Sequence, residues 1–467
     1  MLWEIMKKEI RDQLMSLRLL LTFALVVILM AANVFLFQAE YKRQLSDYNV
    51  EVNRNLAEVA RRASMRMPLF QVFSFNNQFI YRRSNPLGFV SEGHDKDLPN
   101  AFQVNAFRLE APEFTLRGNP LLWRFENLDW AFIVSVVFSF AAIVLVYDSV
   151  SGEKERGTLR LMMCHSVPKE KVLLGKYLSA LIVLLIPLLA GLILSLIIFG
   201  LGGVIPLNAD LLGRVGTSLL LSIIYISSFV LLGLFLSTRS RVPAVSLVTG
   251  LLIWVVLVVV IPATGNLLAR GLVKMPMEER VIEEADRAFE ESAENYNRLN
   301  PHPDNWIMSG KWSPGEPLLR AFESERARSR VYQAYQDRLV AQVRTGEKIS
   351  AVSPAALLGQ SLEAITESGM FHYENFLKSA RQYREALGDF LDSKYPLKKV
   401  YPQDRNATDP IITRMKLDFG SIPKFEDRFL PMREAVRQSL WSAAILVLIN
   451  LVLFGAAYFS FLRYDVR

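Results

Sequence analysis

The chain alternates between long apolar runs and longer mixed stretches. Six apolar runs stand out, roughly Leu19–Phe37, Trp130–Tyr147, Leu178–Val204, Val215–Leu236, Ala244–Ala263 and Ser439–Phe461. Each is about the ~20 residues a helix needs to cross ~30 Å of hydrocarbon. A helix is suited to that medium because its backbone polar groups are satisfied within the segment. The pattern therefore predicts six transmembrane helices. The first run is too long for the apolar part of a signal peptide, and no small-residue cleavage site follows Phe37, so it reads as a retained span.

The flanking segments have their own periodicities. Trp3, Met6, Ile10, Leu14 and Leu17 share one helical face, while Lys7, Lys8, Arg11 and Asp12 lie largely on the others. This predicts an amphipathic helix lying on the inner membrane surface. Beyond Phe37, Tyr41, Tyr48, Val52, Leu56 and Val59 keep helical spacing through Arg61. Phe70–Arg82 and Phe102–Leu109 read as strands. Met277–Leu299, Glu316–Arg344 and Pro354–Leu391 read as helices, and Pro396 through Pro431 as irregular chain. The fold class expected is a mainly α polytopic membrane protein with a large outer, α-rich domain containing a few strands.

Charge sets the orientation. Lys7, Lys8, Arg11 and Arg18 precede the first span; Lys154, Arg156, Arg160, Lys169, Lys171 and Lys176 follow the second; Arg239 and Arg241 follow the fourth. Every second short loop is basic, which places these loops and both termini in the cytoplasm. The expected organisation is an interfacial helix over 1–17, spans over 18–37 and 130–148, and a cytoplasmic loop over 149–177. Three more spans fall within 178–263, and a last span with a cytoplasmic tail occupies 439–467. Segments 38–129 and 264–438 then face outward. The net charge of +7 is read as this topology signal and not as nucleic-acid binding. Cys164 is the only cysteine, so no disulfide within the chain staples the outer segments.

Several chemistries find no support in the sequence. Gly175-Lys176 is followed by Tyr177, and Glu170 stands where a phosphate loop needs glycine. His94, His165, His302 and His372 have no metal-ligand partner at helical or hairpin spacing. No nucleophile–base set is visible, so a membrane enzyme is the poorest reading. The spans carry no charged residue in their interiors, only Asn33, Asn450 and scattered Ser, Thr and Tyr. That argues against ion-coupled transport and for an energy source outside the chain.

The densest chemistry lies in the loop Asp148–Lys176. Glu153, Lys154, Glu155 and Arg156 precede Gly157-Thr158; Leu159, Leu161, Met162 and Met163 then form an apolar face. Gly157 is expected to break the chain direction and Thr158 to cap a short helix through about His165. Such a helix offers Leu and Met to a groove on a partner, and Glu153 and Glu155 would meet basic groups there.

The run Tyr147–Met163, followed by Val167-Pro-Lys-Glu-Lys-Val-Leu-Leu-Gly-Lys176, resembles the loop of type-2 ATP-binding-cassette (ABC) exporter permeases. In that family Glu-x-Glu-x-Gly-Thr and a later Gly-Lys flank the coupling helix seated in the ATPase subunit. Glu153, Glu155, Gly157, Thr158 and Lys176 match; Met163-Cys-His-Ser166 departs from the usual Leu-Leu-Ser/Thr run. Asn119-Pro120 with Leu128-Asp129-Trp130 and Ser353-Pro354-Ala355 resemble the subset with large outer insertions. The resemblance implies an exporter permease in the inner membrane, working with two ATPase subunits that hold ATP and Mg and with a second permease chain, expected to be identical. It implies no catalytic, cofactor or metal site in this chain. The other reading is a non-conducting transmitter that uses cytoplasmic ATP hydrolysis to work on an outer lipoprotein or assembly.

Overall fold

The computed structural model describes residues 2–65, 77–93, 98–106, 109–110, 128–159, 168–300, 315–394 and 418–463. Among these, six helices are long and apolar enough to cross a membrane. They are α2 (Leu17–Ser64), α3 (Trp130–Glu155), α4 (Lys169–Gly202), α5 (Ala209–Arg239), α6 (Pro243–Leu272) and α11 (Met432–Leu462). A short α1 (Leu2–Leu14) precedes them. Between α6 and α11 stand α7 (Glu278–Leu299), α8 (Gly315–Ser350), α9 (Pro354–Thr366) and α10 (Gly369–Lys394).

The helices begin where local chemistry satisfies their first amides. Ser16 accepts from Leu19 N at the start of α2, Asp129 from Phe132 N at α3, Asn208 from Leu211 N at α5 and Ser353 from Ala356 N at α9. At 48 residues, α2 is about 70 Å long at ~1.5 Å per residue, more than twice the hydrocarbon thickness. Its far end therefore leaves the membrane and carries Val59 and Ala63 into a separate core.

Two spans are locally under-wound. In α3, Ile133–Phe138 is π-helical, and Tyr225 OH donates to the Ser135 carbonyl at 2.7 Å. In α6, Val256–Val260 is π-helical just ahead of Pro262, which has no N–H to return to the preceding turn. Ser353 Oγ donates to the Leu257 carbonyl there. Side chains from other helices thus satisfy carbonyls in the π segments.

The domain beyond the spans is built from both long segments. A three-stranded antiparallel sheet runs β1 (Gln78–Tyr81), β2 (Ala101–Val104), β3 (Leu109–Glu110). Its register pairs Tyr81 with Ala101, Gln78 with Val104 and Val104 with Leu109. Ile80, Phe102, Val104 and Leu109 are buried in one cluster with Met370, Tyr373, Phe376, Leu377 and Ala380 of α10. The stretch expected as one strand over Phe102–Leu109 is thus two strands paired with each other. The part of the first expected strand before Asn77 lies outside the described residues.

The helix expected over Pro354–Leu391 is also divided. It breaks at Glu367, whose φ is +54°, and Gly369, at +57°. The break lets α9 turn away from α10. Leu357, Leu358, Leu362 and Ile365 of α9 are buried in the same core as the membrane spans, whereas α10 belongs to the sheet core.

Candidate coupling platform

One end of the helical bundle gathers four chain segments: α1, the end of α3 with the start of α4, the α5–α6 turn, and the end of α11. The first join is ionic. Lys176 Nζ donates to Glu9 Oε1 of α1 and to Glu153 Oε1 of α3, each at 2.8 Å. Lys176 is 2% exposed. A buried ammonium is tolerated only when paired and hydrogen-bonded, and two carboxylates from separate helices supply this.

The second join is through hydroxyl and carbonyl groups. Ser237 Oγ of α5 accepts from the amides of Val150 and Ser151, each at 3.0 Å. Lys154 Nζ donates to the carbonyls of Thr238 and Ser240 (the latter at 3.2 Å). The last carbonyls of a helix lack partners within it, so Lys154 acts as a C-terminal cap for α5. Arg18 at the head of α2 bonds Asp148 Oδ2 at 3.0 Å and Tyr147 OH at 2.9 Å.

The third join is apolar. Val150, Leu159, Val172, Leu173, Ala457 and Phe461 form a small closed core. Its members come from α3, the loop, α4 and α11, so the loop is anchored on both sides of its turn.

The sequence-predicted residues fall into three groups. Glu155, Arg156 and Thr158 are exposed. Gly157 adopts φ +74°, the left-handed turn expected of it. Thr158 Oγ1 donates to the Glu153 carbonyl at 3.4 Å. Glu153, Lys176 and Leu159 are buried inside the protein itself, so none of the three side chains is offered to a partner. Leu161 and Met162, with Met163, Cys164 and His165, lie outside the described residues.

In α1 the stripe expected to face lipid is split. Met6 is buried with Glu9 and Gln13, and Ile5 meets Gly175 of α4, where an added Cβ would stand 2.9 Å from Ile5 Cγ2. Ile10 is partly buried against the main core. Trp3 and Leu14 remain exposed, at 64% and 48%. The helix therefore packs on protein along Met6–Glu9–Gln13 and leaves an apolar edge at Trp3 and Leu14.

Glu9 and Ser237 were missed by sequence reasoning. A signal for Glu9 exists, since it shares a helical face with Met6 and Gln13 at i−3 and i+4. Ser237 is one serine among many in α5, and nothing local marks it.

Inside the spans, Asn450 joins three helices. Its amide bonds Ser227 Oγ and Ser228 Oγ of α5, and Ser227 in turn meets Tyr177 OH of α4 at 2.7 Å. Asn33 of α2 donates to the Phe89 carbonyl at 2.9 Å. Asn450 thus serves helix packing, whereas Asn33 ties its span to the turn at Phe89 and not to a neighbouring helix. Among the described residues no group of histidine, cysteine and carboxylate side chains is placed to hold a metal ion.

A search of curated proteins finds no match to the chain. The sequence profile of the family described as ABC-2 family transporter protein matches residues 3–466. With that match spanning nearly the whole chain and six membrane-spanning helices beneath it, the protein belongs to the ABC-2 transporter family, as a permease-type, multi-pass membrane subunit of an ABC system.

Proposed function

We propose that the chain is the permease of an ABC exporter whose separate ATPase subunit docks on the 153–171 loop. The observation that carries this reading is the construction of the platform. Its exposed rim offers Glu155, Arg156 and Thr158, while Glu153, Lys176 and Leu159 tie the same loop into four helices. A force applied at the rim would reach α1, α3, α4 and α11 together through buried contacts. The exposed Trp3 and Leu14 edge of α1 fits the inner membrane interface.

The wider arrangement follows from the same reading. Platform and termini face the cytoplasm of an inner-membrane protein, as the basic short loops require, and the sheet domain faces outward. Two permease chains, taken as identical, work with two ATPase subunits that hold ATP and Mg. Charge reversal at Glu155 tests the docking. It should reduce co-purification of the ATPase in detergent, and unchanged capture would place the contact elsewhere.

A specific feature favours a second reading. α5 is held at both ends: Ser237 and Thr238 at the platform, and Arg214 at its head, where it donates to the carbonyls of Ile365 (2.8 Å) and Leu430. A helix gripped in this way would serve a non-conducting transmitter acting on an outer lipoprotein or assembly partner. ATP-driven flux of a labelled lipid or peptide in reconstituted vesicles supports the exporter. ATPase stimulation by an outer partner, without flux, supports the transmitter.

A further inference from the structure

One face of α1 carries two cations that the coupling platform does not use. Trp3, Lys7, Arg11 and Leu14 follow one another at i, i+4, i+8 and i+11, so they adjoin on the helix surface. All four are exposed. The side turned to the protein holds Met6, Glu9 and Gln13. An apolar residue thus stands at each end of the exposed stripe, and a basic pair lies between them.

The basic pair is uncompensated. Like charges one turn apart on a helix repel. Among the described residues neither Lys7 nor Arg11 joins an ion pair, even though Glu4 stands three residues before Lys7. Lys8 differs, because Glu4 and Asp12 flank it one turn to either side. Arg18, the next cation along the chain, is already held by Asp148 and Tyr147. An anion between Lys7 and Arg11 would replace their repulsion with two charge-assisted contacts.

The way α1 lies decides what surrounds this stripe. Leu2 and Ile5 both reach Gly175, and Glu9 bonds Lys176. Residues spread over two turns of α1 therefore meet two neighbouring residues of α4, so α1 crosses the spanning helix and does not follow it. Its exposed edge continues into the first span, where Leu17, Leu20 and Leu21 are exposed in turn. A helix lying across the spans, with an apolar edge and adjacent cations, seats at the level of the lipid headgroups.

We propose that Lys7 and Arg11 hold the headgroup of an anionic phospholipid, with Trp3 and Leu14 seated in the acyl boundary beside it. Glu9, on the buried side of the same helix, holds Lys176, so the lipid braces α1 against the platform. The proposal rests on the interfacial placement of α1 given above and not on where the ATPase docks.

The test uses the full-length chain in phosphatidylcholine nanodiscs with a rising fraction of phosphatidylglycerol at constant salt. Hydrogen exchange of the segment 2–14 is followed. Protection in the wild type should rise with phosphatidylglycerol. A cation near an anionic surface changes lipid affinity about fivefold, so Lys7→Gln and Arg11→Gln should each raise the half-effect fraction by about that factor. Lys8→Gln should leave it unchanged. Equal wild-type protection with and without phosphatidylglycerol would overturn the proposal. So would a response unaltered in Lys7→Gln and Arg11→Gln, an equal shift in Lys8→Gln, or a rise reproduced by inorganic phosphate in phosphatidylcholine alone. A fluorophore on Leu14→Cys, in a Cys164→Ser background, reads the placement separately through quenching by nitroxide-labelled phosphatidylcholine. No quenching would overturn the placement and the lipid site together. Quenching without a phosphatidylglycerol response would overturn the lipid site alone.

Discussion

Glu153 and Lys176, on consecutive membrane-spanning helices, form a buried ion pair with Oε1 and Nζ 2.8 Å apart. Glu9 of α1 closes the same ammonium from the other side at 2.8 Å. Breaking a buried pair by removing one member leaves an uncompensated charge, at a cost of about 3–5 kcal/mol. Lys176→Met leaves two carboxylates facing each other and should lower the thermal unfolding midpoint in detergent more than Glu9→Gln does. Adding Glu9→Gln and Glu153→Gln to Lys176→Met should restore much of the loss. A triple variant no more stable than Lys176→Met would show that the triad is not a charge-balanced unit.

Leu159 and Glu155 separate folding from docking. Leu159 is fully buried with Phe461, Val150 and Val172, so Leu159→Ala should destabilise by about 2–5 kcal/mol. Glu155 is exposed, and Glu155→Lys should leave stability within about 0.5 kcal/mol while weakening association with the ATPase. Thermal unfolding and co-purification on the same two variants check the pair. Equal stability loss in both would contradict the placement of Leu159.

Gly157 gives a graded series. An added Cβ would meet nothing within 4 Å, so the requirement is the backbone angle alone, φ +74°. A left-handed residue with a side chain costs about 1–2 kcal/mol, and asparagine bears it best. ATP-driven activity of the assembled system should fall in the order Gly157→Asn, Gly157→Ala, Gly157→Val, with valine inactive but inserted. Full activity in the valine variant would remove the turn from the account.

Ser237 tests the link from loop to strut. Its hydroxyl accepts from the amides of Val150 and Ser151, and Ser237→Ala leaves two buried donors short of a partner, about 1–3 kcal/mol for each. The expected result is an ATPase that still binds but does less work per ATP hydrolysed, measured as transport or partner stimulation against phosphate release. Unchanged work per ATP would show that α5 is not loaded through this contact.

Much of this architecture was legible in local pattern. The six apolar runs became six long helices because length and hydropathy alone decide that outcome in a membrane. Gly157 was legible because only the backbone decides it. The errors share a different cause. Leu159 and Met6 read as outward-facing because each lies on an amphipathic stripe. What covers Leu159 is Phe461, some 300 residues away in sequence, and periodicity carries no information about that. Glu153 reads as an exposed docking carboxylate until Lys176 and Glu9 fold onto it. The break at Glu367 was hidden because a left-handed non-glycine residue has no sequence signature, and Gly369 stands two residues later.

The central claim is that a separate ATPase grips the rim formed by Glu155, Arg156 and Thr158. A photo-crosslinking amino acid at position 155, in membranes containing the native complex, tests it most directly, with the same group at exposed Glu290 of α7 as the distant control. The account predicts a covalent adduct with the ATPase subunit from position 155 and none from position 290. An ATPase adduct from position 290, or none from position 155 in an assembled complex, would contradict it.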